Sequence, residues 1–393
     1  MTASKNLYLT KIQLKSELDR CLNCPTKPCM NACPVNCSPQ EFINHAKKHE
    51  FDQAVKTITR NNPMGQTCGL ICPDKFCMQA CTRSHIDFSV NIPKVQATIL
   101  KNYRNSTEDY TNIKPNGHSI AVIGAGPAGM AAAALLGHHG YLVTIFEASS
   151  QIGGALNLIP QERLPHEVIE TDWSYISNPD FITLKLNAKI SSPQDLFAQG
   201  FDGIIISTGE PNCTNLNIPG EENCICYMDY LRNPDNYKTT GKVAIIGGGN
   251  VAADCALTAA ANGSEHVEMF VRRRLSDMRI SKPEYFELLN RQINITPLTS
   301  PDKFEKKEGK VSLYVHKNHF VSGKLTALPQ STIELPDYDL VIKAVGSWAD
   351  PKVEDSRIIY AGDCKNGGST IVEALASGRA AAMLMLEQLA MVA

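Results

Sequence analysis

The hydrophobic pattern of this chain changes character near residue 112. Before it, apolar residues recur at helical spacing in short runs, Pro39 to His49 and Phe51 to Arg60 among them, which predicts a small helical domain. Tyr103 to Gly117, rich in Asn, Ser, Thr and Pro, interrupts all periodicity and reads as a linker. After it come short apolar strands, each closing on a glycine turn. Ser119 to Ile123 and Tyr141 to Phe146 are predicted strands around an alanine-rich helix that opens with Met130 to Leu136. Lys242 to Ile246, a helix through Ala261 and a strand over His266 to Val271 repeat that order. Asp202 to Ser207, Leu340 to Val345 and Ile358 to Ala361 are further apolar strands, and a long helix is predicted from Ile371 to about Met391. The lysine–glutamate run Lys303 to Lys310 reads as a solvated hairpin edge.

The turns carry the first chemistry. Gly124, Gly126, Pro127, Ala128 and Gly129 form a GxGxxG turn between strand and helix, and Glu147 ends the next strand. The first glycine permits the tight turn, the second lets a pyrophosphate approach the amides of the helix N-terminus, and the third lets helix and strand pack closely. Glu147 can accept ribose hydroxyls. The second copy reads Gly247, Gly248, Gly249, Asn250, Val251, Ala252, with alanine at the third glycine position. Its strand ends on Arg272, Arg273 and Arg274, with Arg279 beyond, instead of an acid. Guanidinium groups suit a 2′-phosphate, so NADPH is expected over NADH; the plainer reading is a solvated basic cluster. Glu268 stands too early in the strand to serve as the ribose acid. Two such sites need two half-domains, the first completed after the second is inserted. Strand-then-glycine turns at Thr208-Gly209 and at Ala344 and Gly346 fit the return crossings.

Cysteine usage adds the third centre. Nine of the 14 cysteines precede residue 82, in two strings: Cys21, Cys24, Cys29, Cys33, and Cys68, Cys72, Cys77, Cys81. The CxxCxxxxCxxxC spacing fits iron–sulfur cubanes better than the paired CxxC knuckles of zinc, and a disulfide framework ranks last. Prolines 25, 28, 34 and 73 flank the strings and stiffen their loops. Met1 to Arg20 lacks an apolar core or cleavage site, and no window reaches membrane-spanning length, so a cytoplasmic protein is expected. With 38 basic against 40 acidic side chains, neither nucleic acid nor a membrane surface is an expected partner. His45, His49, His85, His138 and His139 show no metal spacing; Cys213, Cys224, Cys226 and Cys364 read as inert thiols, and Cys37 as a spare thiol near the first cluster.

The strings CLNCPTKPCMNACP, CGLICPDKFCMQACTR, VIGAGPAGMAAA, IPQERLP, IIGGGNVAADCA and AGDCKNGGSTIVEALASGRAAA, in this order, carry a resemblance that covers the whole chain. It resembles the glutamate synthase small subunit and the N-terminal half of dihydropyrimidine dehydrogenase, and looks closest to the flavin-containing subunit of bacterial two-subunit dihydropyrimidine dehydrogenases. The resemblance implies an α/β fold: an N-terminal helical iron–sulfur domain (1–112), then two nested Rossmann-like dinucleotide-binding domains of the glutathione-reductase type, with FAD on 116–238 and 333–393 and NAD(P)H on 239–332. It implies two 4Fe-4S clusters with ligands out of sequence order. Cys21, Cys24, Cys29 and Cys81 would hold one; Cys33, Cys72, Cys77 and Gln96 would hold the other, with Cys68 competing for the last place. Gly154 and Arg163, and Gly362, Asp363 and Thr370 of the closing motif, match flavin contacts; Arg272, Arg273 and Arg279 match NADPH-phosphate contacts. The bacterial pyrimidine enzyme resembles an NADH user, which leaves NADH possible. The stretch from Gly153 to Pro165 departs from the family pattern around Leu156 and Asn157, being a residue shorter and without its first arginine.

A nicotinamide gives up hydride, a cubane moves single electrons, and a flavin can do both, so the implied order is NADPH, FAD, clusters. No catalytic dyad is expected. Nothing in the chain resembles the family's FMN barrel, so an FMN-containing catalytic partner and a hetero-oligomer are expected. The alternatives are a self-sufficient oxidoreductase reducing ferredoxin or a small acceptor, a thioredoxin-reductase-like disulfide enzyme, for which Cys255 stands alone in the inserted domain, and a cluster-bearing sensor.

Overall fold

The computed structural model describes residues 7–104 and 112–391; the first six residues and positions 105–111 of the expected linker lie outside them. The cysteine region is helical, as its pattern predicts: α1 Lys11–Arg20, α2 Pro28–Asn31, α3 Pro39–Lys47, α4 Phe51–Thr59, α5 Gly65–Ile71 and α6 Ile92–Tyr103. Proline sits in the first turn of α2, α3 and α6, where its missing N–H would have no helical partner anyway. Its core gathers Phe42, Ile43, Ala54, Ile58, Val95, Ile99 and Leu100, all buried. α5 lies so close to α6 that a Cβ on Gly69 would fall 2.7 Å from Ala97 and from the Pro93 carbonyl.

Next come β1 Ser119–Ile123, α7 Pro127–His138, β2 Leu142–Phe146, α8 His166–Ile176, β3 Ile182–Lys185 and β4 Gly203–Ile206. The strands are short, β-branched and buried in the middle of the sheet, which is what a parallel sheet covered on both faces demands.

The chain then builds a second body from β5 Asn212–Cys213, β6 Ile225–Cys226, α9 Tyr227–Arg232, β7 Lys242–Ile246, α10 Asn250–Ala261, β8 His266–Val271, α11 Lys282–Asn290, β9 Asn294–Pro297, β10 Thr299–Lys307, β11 Lys310–Val321, β12 Lys324–Ala327, β13 Ile333–Tyr338, β14 Leu340–Lys343 and β15 Ser347–Trp348. Five strands form a parallel sheet in the order β6-β14-β7-β8-β9. α9, α10 and α11 bury Tyr230, Ala256 and Leu288 on one face. On the other face Phe304, Leu313, Val315 and Tyr338 of an antiparallel sheet pack against Ala244, Ile246 and Phe270. That antiparallel sheet pairs β10 and β13 with β11, and β12 with its far end, where the sequence suggested only a hairpin edge at Lys303 to Lys310.

Returning, the chain adds β16 Ile358–Tyr360, α12 Asp363–Asn366 and α13 Ile371–Ala390 to the first body, whose sheet order is β16-β4-β1-β2-β3. Packing divides the chain into two compact units: residues up to 157, 161–211 and from 349 on, and residues 158–160 with 212–348. The inserted unit is thus larger than the 239–332 read from the sequence. β6 and β14 hydrogen-bond into the β7 sheet, and β5 pairs with β15, so both flanks belong to it. The cysteine helices and the first sheet share the other unit. They are joined by Asp172 of α8, fully buried, which accepts from the Thr67 amide (2.8 Å) and hydroxyl (2.7 Å) and from Arg104 Nη1 (2.6 Å).

Candidate cofactor sites

Three places gather the residues singled out above. In the cysteine region, Asn23, Lys27 and Asn36 adopt left-handed backbone (φ 53°, 47° and 51°), turning the chain sharply between sulfurs. Cys21, Cys24, Cys29 and Cys81 line one cavity, with Lys27, Gln40, Thr82 and Val90. Cys33, Cys37, Cys68, Cys72, Cys77 and Gln96 line a second, with Asn62 and Val372. The grouping crosses the two strings: Cys81 lies with the first and Cys33 with the second, which holds both Gln96 and Cys68. Cys37, read as a spare thiol near the first cluster, lines the second cavity instead.

The electrostatics of these cavities suit a cationic metal–sulfide core. Burial, then the Cys21 sulfur, pushes Cys29 up to about 11; burial, then Cys33, pushes Cys72 up to about 12. Cys33 is raised by burial alone, and Cys77 is raised further, by burial and then by Cys72 and Cys33. Buried thiolates that repel one another are the situation that iron relieves. Among the described residues Asn62 Oδ1, beside the second cavity, is buried without a hydrogen-bond partner, an orphaned polar atom that a bound polar group would satisfy. Among the described residues no three His, Cys, Asp or Glu side chains converge closely enough to share one metal ion.

The second place is the β1–α7 turn. Gly124 needs its positive φ of 105°, and a Cβ on Gly129 would fall 2.0 Å from the Gly124 carbonyl, whereas a Cβ on Gly126 would meet nothing within 4 Å. So the first and third glycines answer to packing, and the middle one leaves backbone open to a ligand at the N-terminus of α7. Glu147 is buried, and its carboxylate accepts from the amides of Ala125 and Ser149, each at 2.8 Å, which holds it beside the turn. Gly154 (φ 56°) brings the shortened loop back, its Cβ position 3.2 Å from Gly126 Cα. Within that loop Asn157 donates through Nδ2 to the Ile152 carbonyl (2.9 Å), and its Oδ1 accepts from His166 Nδ1 (3.1 Å), so it braces the loop. Arg163 is half-buried just beyond.

Gly362 (φ 70°) packs against Ala128 of α7, and Asp363 accepts from the Ser369 hydroxyl. Burial raises the Asp363 carboxyl, the Ser369 bond opposes that rise, and the Glu210 carboxylate adds to it. Thr370 begins α13, its amide (3.0 Å) and hydroxyl (2.6 Å) both donating to the Glu373 carboxylate, and Gly378 lets α13 cross α7, where a Cβ would lie 2.0 Å from the Ala128 carbonyl. From its N-terminal end α13 presents Val372 to the second cysteine cavity, and Glu373 pairs with Lys75 at 3.7 Å.

The third place lies in the inserted unit. Gly247 (φ 150°) abuts the Ala344 carbonyl and the Ala252 side chain; Gly248 faces Val271, and Gly249 is open. Asn250 and Val251 open α10. Gly346 (φ 117°) follows β14, and its carbonyl accepts from Thr214 at 3.0 Å. Arg279 bridges Gly249, its amide donating to the Gly248 carbonyl at 3.3 Å, so the chain returns to the glycine turn after the basic run. Arg272, Arg273 and Arg279 are exposed, while Arg274 is engaged by Asp277 (2.9 Å) and Phe320 (4.5 Å). Glu268 accepts from Thr296 and Tyr338 (2.9 Å), a structural role. Cys213 and Cys226, read as inert thiols, are joined in a disulfide; no CxxC spacing announces it, since β5 and β6 bring distant positions together. Burial pushes Cys224 up to about 12.

Comparison with known proteins agrees with this anatomy. Residues 118–378 match the family model for pyridine nucleotide-disulphide oxidoreductases, and residues 2–108 match that for dihydropyrimidine dehydrogenase domain II, 4Fe-4S cluster. The NAD-dependent dihydropyrimidine dehydrogenase subunit PreT of Salmonella typhimurium is 30% identical over 93% of this chain and 92% of its own length. The NADPH-Fe(3+) oxidoreductase subunit beta of Geobacter sulfurreducens is 31% identical over 69% of this chain and 42% of its own length. Mycobacterium tuberculosis FprA in complex with NADPH shares the fold (TM-score 0.61, 18% identity, 70% of this chain and 85% of that one). Among the described residues no helix is long and apolar enough to cross a membrane.

Proposed function

The chain belongs to the pyridine nucleotide-disulphide oxidoreductase family and carries a 4Fe-4S domain of the dihydropyrimidine dehydrogenase type, and from that premise we propose that it is the electron-input subunit of a larger enzyme. It is an NAD(P)H-dependent flavin and iron–sulfur oxidoreductase. Bound FAD supplies the link between two-electron hydride exchange and one-electron transfer. In the proposed assignment Gly124, Gly126, Pro127, Ala128 and Gly129 take the flavin pyrophosphate at the N-terminus of α7 and Glu147 takes the ribose, with Gly154, Arg163, Gly362, Asp363 and Thr370 around the flavin. Gly247, Gly248, Gly249, Asn250, Val251, Ala252, Ala344 and Gly346 hold the nicotinamide nucleotide. Arg272, Arg273 and Arg279 grip a 2′-phosphate, which favours NADPH. Cys21, Cys24, Cys29 and Cys81 hold one cluster; Cys33, Cys72, Cys77 and Gln96 hold the other.

The observation that carries this reading is α13. Its N-terminus belongs to the motif assigned to the flavin, and its first turn supplies Val372 to the wall of the second cysteine cavity. One helix thus spans two assigned sites, and a cluster held by Cys33, Cys72, Cys77 and Gln96 would supply single-electron transfer, taking up electrons one at a time. A partner subunit carrying FMN would receive them and reduce the final substrate, a pyrimidine or the glutamate-forming pair. Reconstitution tests this. The purified chain should reduce artificial dyes with NADPH and leave uracil, or 2-oxoglutarate with glutamine, untouched until the partner is added; turnover of either by the lone chain would refute the subunit assignment.

A further inference from the structure

Gln96 lies on α6, 7% exposed, and its amide orientation is determined by its neighbours. The Nε2 donates to the Gly65 carbonyl at 2.6 Å, and only the nitrogen end of an amide can do that. The Oε1 is therefore directed the other way, toward Cys37, whose Sγ lies 3.6 Å from it and whose side chain is fully buried. Both residues line the second cavity. Cys37 reaches that position through the left-handed turn at Asn36 (φ 51°), whose amide bonds the Cys33 carbonyl at 2.8 Å, so Cys37 is held one turn from an assigned ligand. A carbonyl-type oxygen has two lone pairs, and the thiol occupies one, leaving the other for iron.

We propose that Cys37 is a positioning residue for the second cluster: its S–H donates to Gln96 Oε1, holds that oxygen in the ligating pose and draws charge from it, making the cluster easier to reduce. The inference rests on the assignment of Gln96 as ligand. Hydrogen bonds to cluster ligands are among the levers that set iron–sulfur potentials, and an outer partner that orients a ligand commonly matters for retention too. Cys37 adds neither charge nor a covalent link to iron. Its contribution disappears with the donor proton.

The test uses the full chain, purified anaerobically as wild type, Cys37→Ala, Cys37→Ser and Gln96→Leu. Each is measured for iron and sulfide content, for the EPR signals of the reduced clusters, and by redox titration. Cys37→Ala should keep about eight irons per chain while one EPR component shifts and titrates at a more negative potential. Cys37→Ser, with a donor on a shorter arm, should recover part of that shift. Gln96→Leu should lose or alter the same component. Loss of about half the iron in Cys37→Ala with full iron in Gln96→Leu would overturn the inference, since Cys37 would then be the ligand itself. An unchanged potential in Cys37→Ala beside an altered Gln96→Leu would overturn the role of Cys37 alone. Unchanged spectra in Gln96→Leu would instead remove the ligand assignment.

Discussion

Replacing Asp172 with alanine should loosen the joint between the cysteine helices and the first sheet, by an amount the geometry allows to be worked out. Asp172 is fully buried and Arg104 is 4% exposed at its side chain, so the 2.6 Å pair is out of water on both sides. Removing the carboxylate leaves a buried guanidinium without its counter-charge, which costs about 3–5 kcal/mol. It also strips the Thr67 amide and hydroxyl of their acceptor at the start of α5, although Arg104 keeps the Gln66 side chain (2.9 Å). At about 1.4 kcal/mol per tenfold, amide exchange at Thr67 should accelerate by about two to four powers of ten. Asp172→Asn, which preserves one acceptor oxygen and loses the charge, should show about half that free-energy change. Hydrogen–deuterium exchange read peptide by peptide supplies the measurement, with iron content followed in parallel because α5 leads directly into Cys72. A rise below about tenfold in the alanine variant would refute the reasoning: the cost of burying the pair would then already cancel its attraction.

Gly378→Ala should weaken flavin retention by about five- to a hundredfold, because the new methyl meets the Ala128 carbonyl at 2.0 Å and overpacking costs about 1–3 kcal/mol; flavin released on dilution, read by fluorescence, reports it, and unchanged retention would mean α13 and α7 part without consequence. Arg273→Ala and Arg279→Ala should each lower kcat/KM for NADPH by about ten- to a hundredfold, from the loss of a charge-assisted bond of about 1.5–3 kcal/mol, and leave NADH unaffected. Equal losses with both nucleotides would sink the 2′-phosphate assignment. Cys224, pushed up to about 12 by burial, keeps its proton at pH 8, so iodoacetamide should modify it about three powers of ten more slowly than an ordinary thiol. Alkylation at the rate of the denatured chain would show that the burial is not maintained.

Much of this architecture was legible because strand-turn-helix units announce themselves locally. Lys242 to Ile246 and His266 to Val271 coincide with β7 and β8, since each is an apolar run bounded by glycine or charge. The antiparallel sheet of β10 to β13 was not legible beyond its hairpin tip. Its strands alternate Lys, Glu and Tyr outside with Phe304, Leu313 and Val315 inside, and such half-exposed strands look like solvated loop until a partner sheet is known. The limits of the inserted unit escaped for a similar reason: β6 and β15 are two residues each, too short to show any period.

The cysteine pairing marks the boundary between local and non-local information. Spacing alone groups Cys21, Cys24, Cys29 and Cys33, because they are neighbours in the chain, yet Cys33 and Cys81 line each other's expected cavities. The exchange is enforced by contacts that spacing cannot reveal. Arg20, at the end of α1, binds Glu17 (2.8 Å) and Asp87 (3.1 Å), and Glu17 accepts the Asn91 amide (2.8 Å). These bonds fold the segment after Cys81 back onto the helix that leads into Cys21, and the Thr82 hydroxyl bonds Cys24 at 2.9 Å. Cys33, meanwhile, lies past the end of α2 and lines the second cavity, while Cys29, within α2, lines the first. It follows that the polar clamp around Arg20 should matter to the first cavity and not the second. Arg20→Ala breaks that clamp while leaving every cysteine in place, so one EPR component should weaken and the iron content fall toward half. Equal loss of both components would mean that the two cavities fold as one unit, and that the clamp is general scaffolding instead of the device that brings Cys81 to its partners.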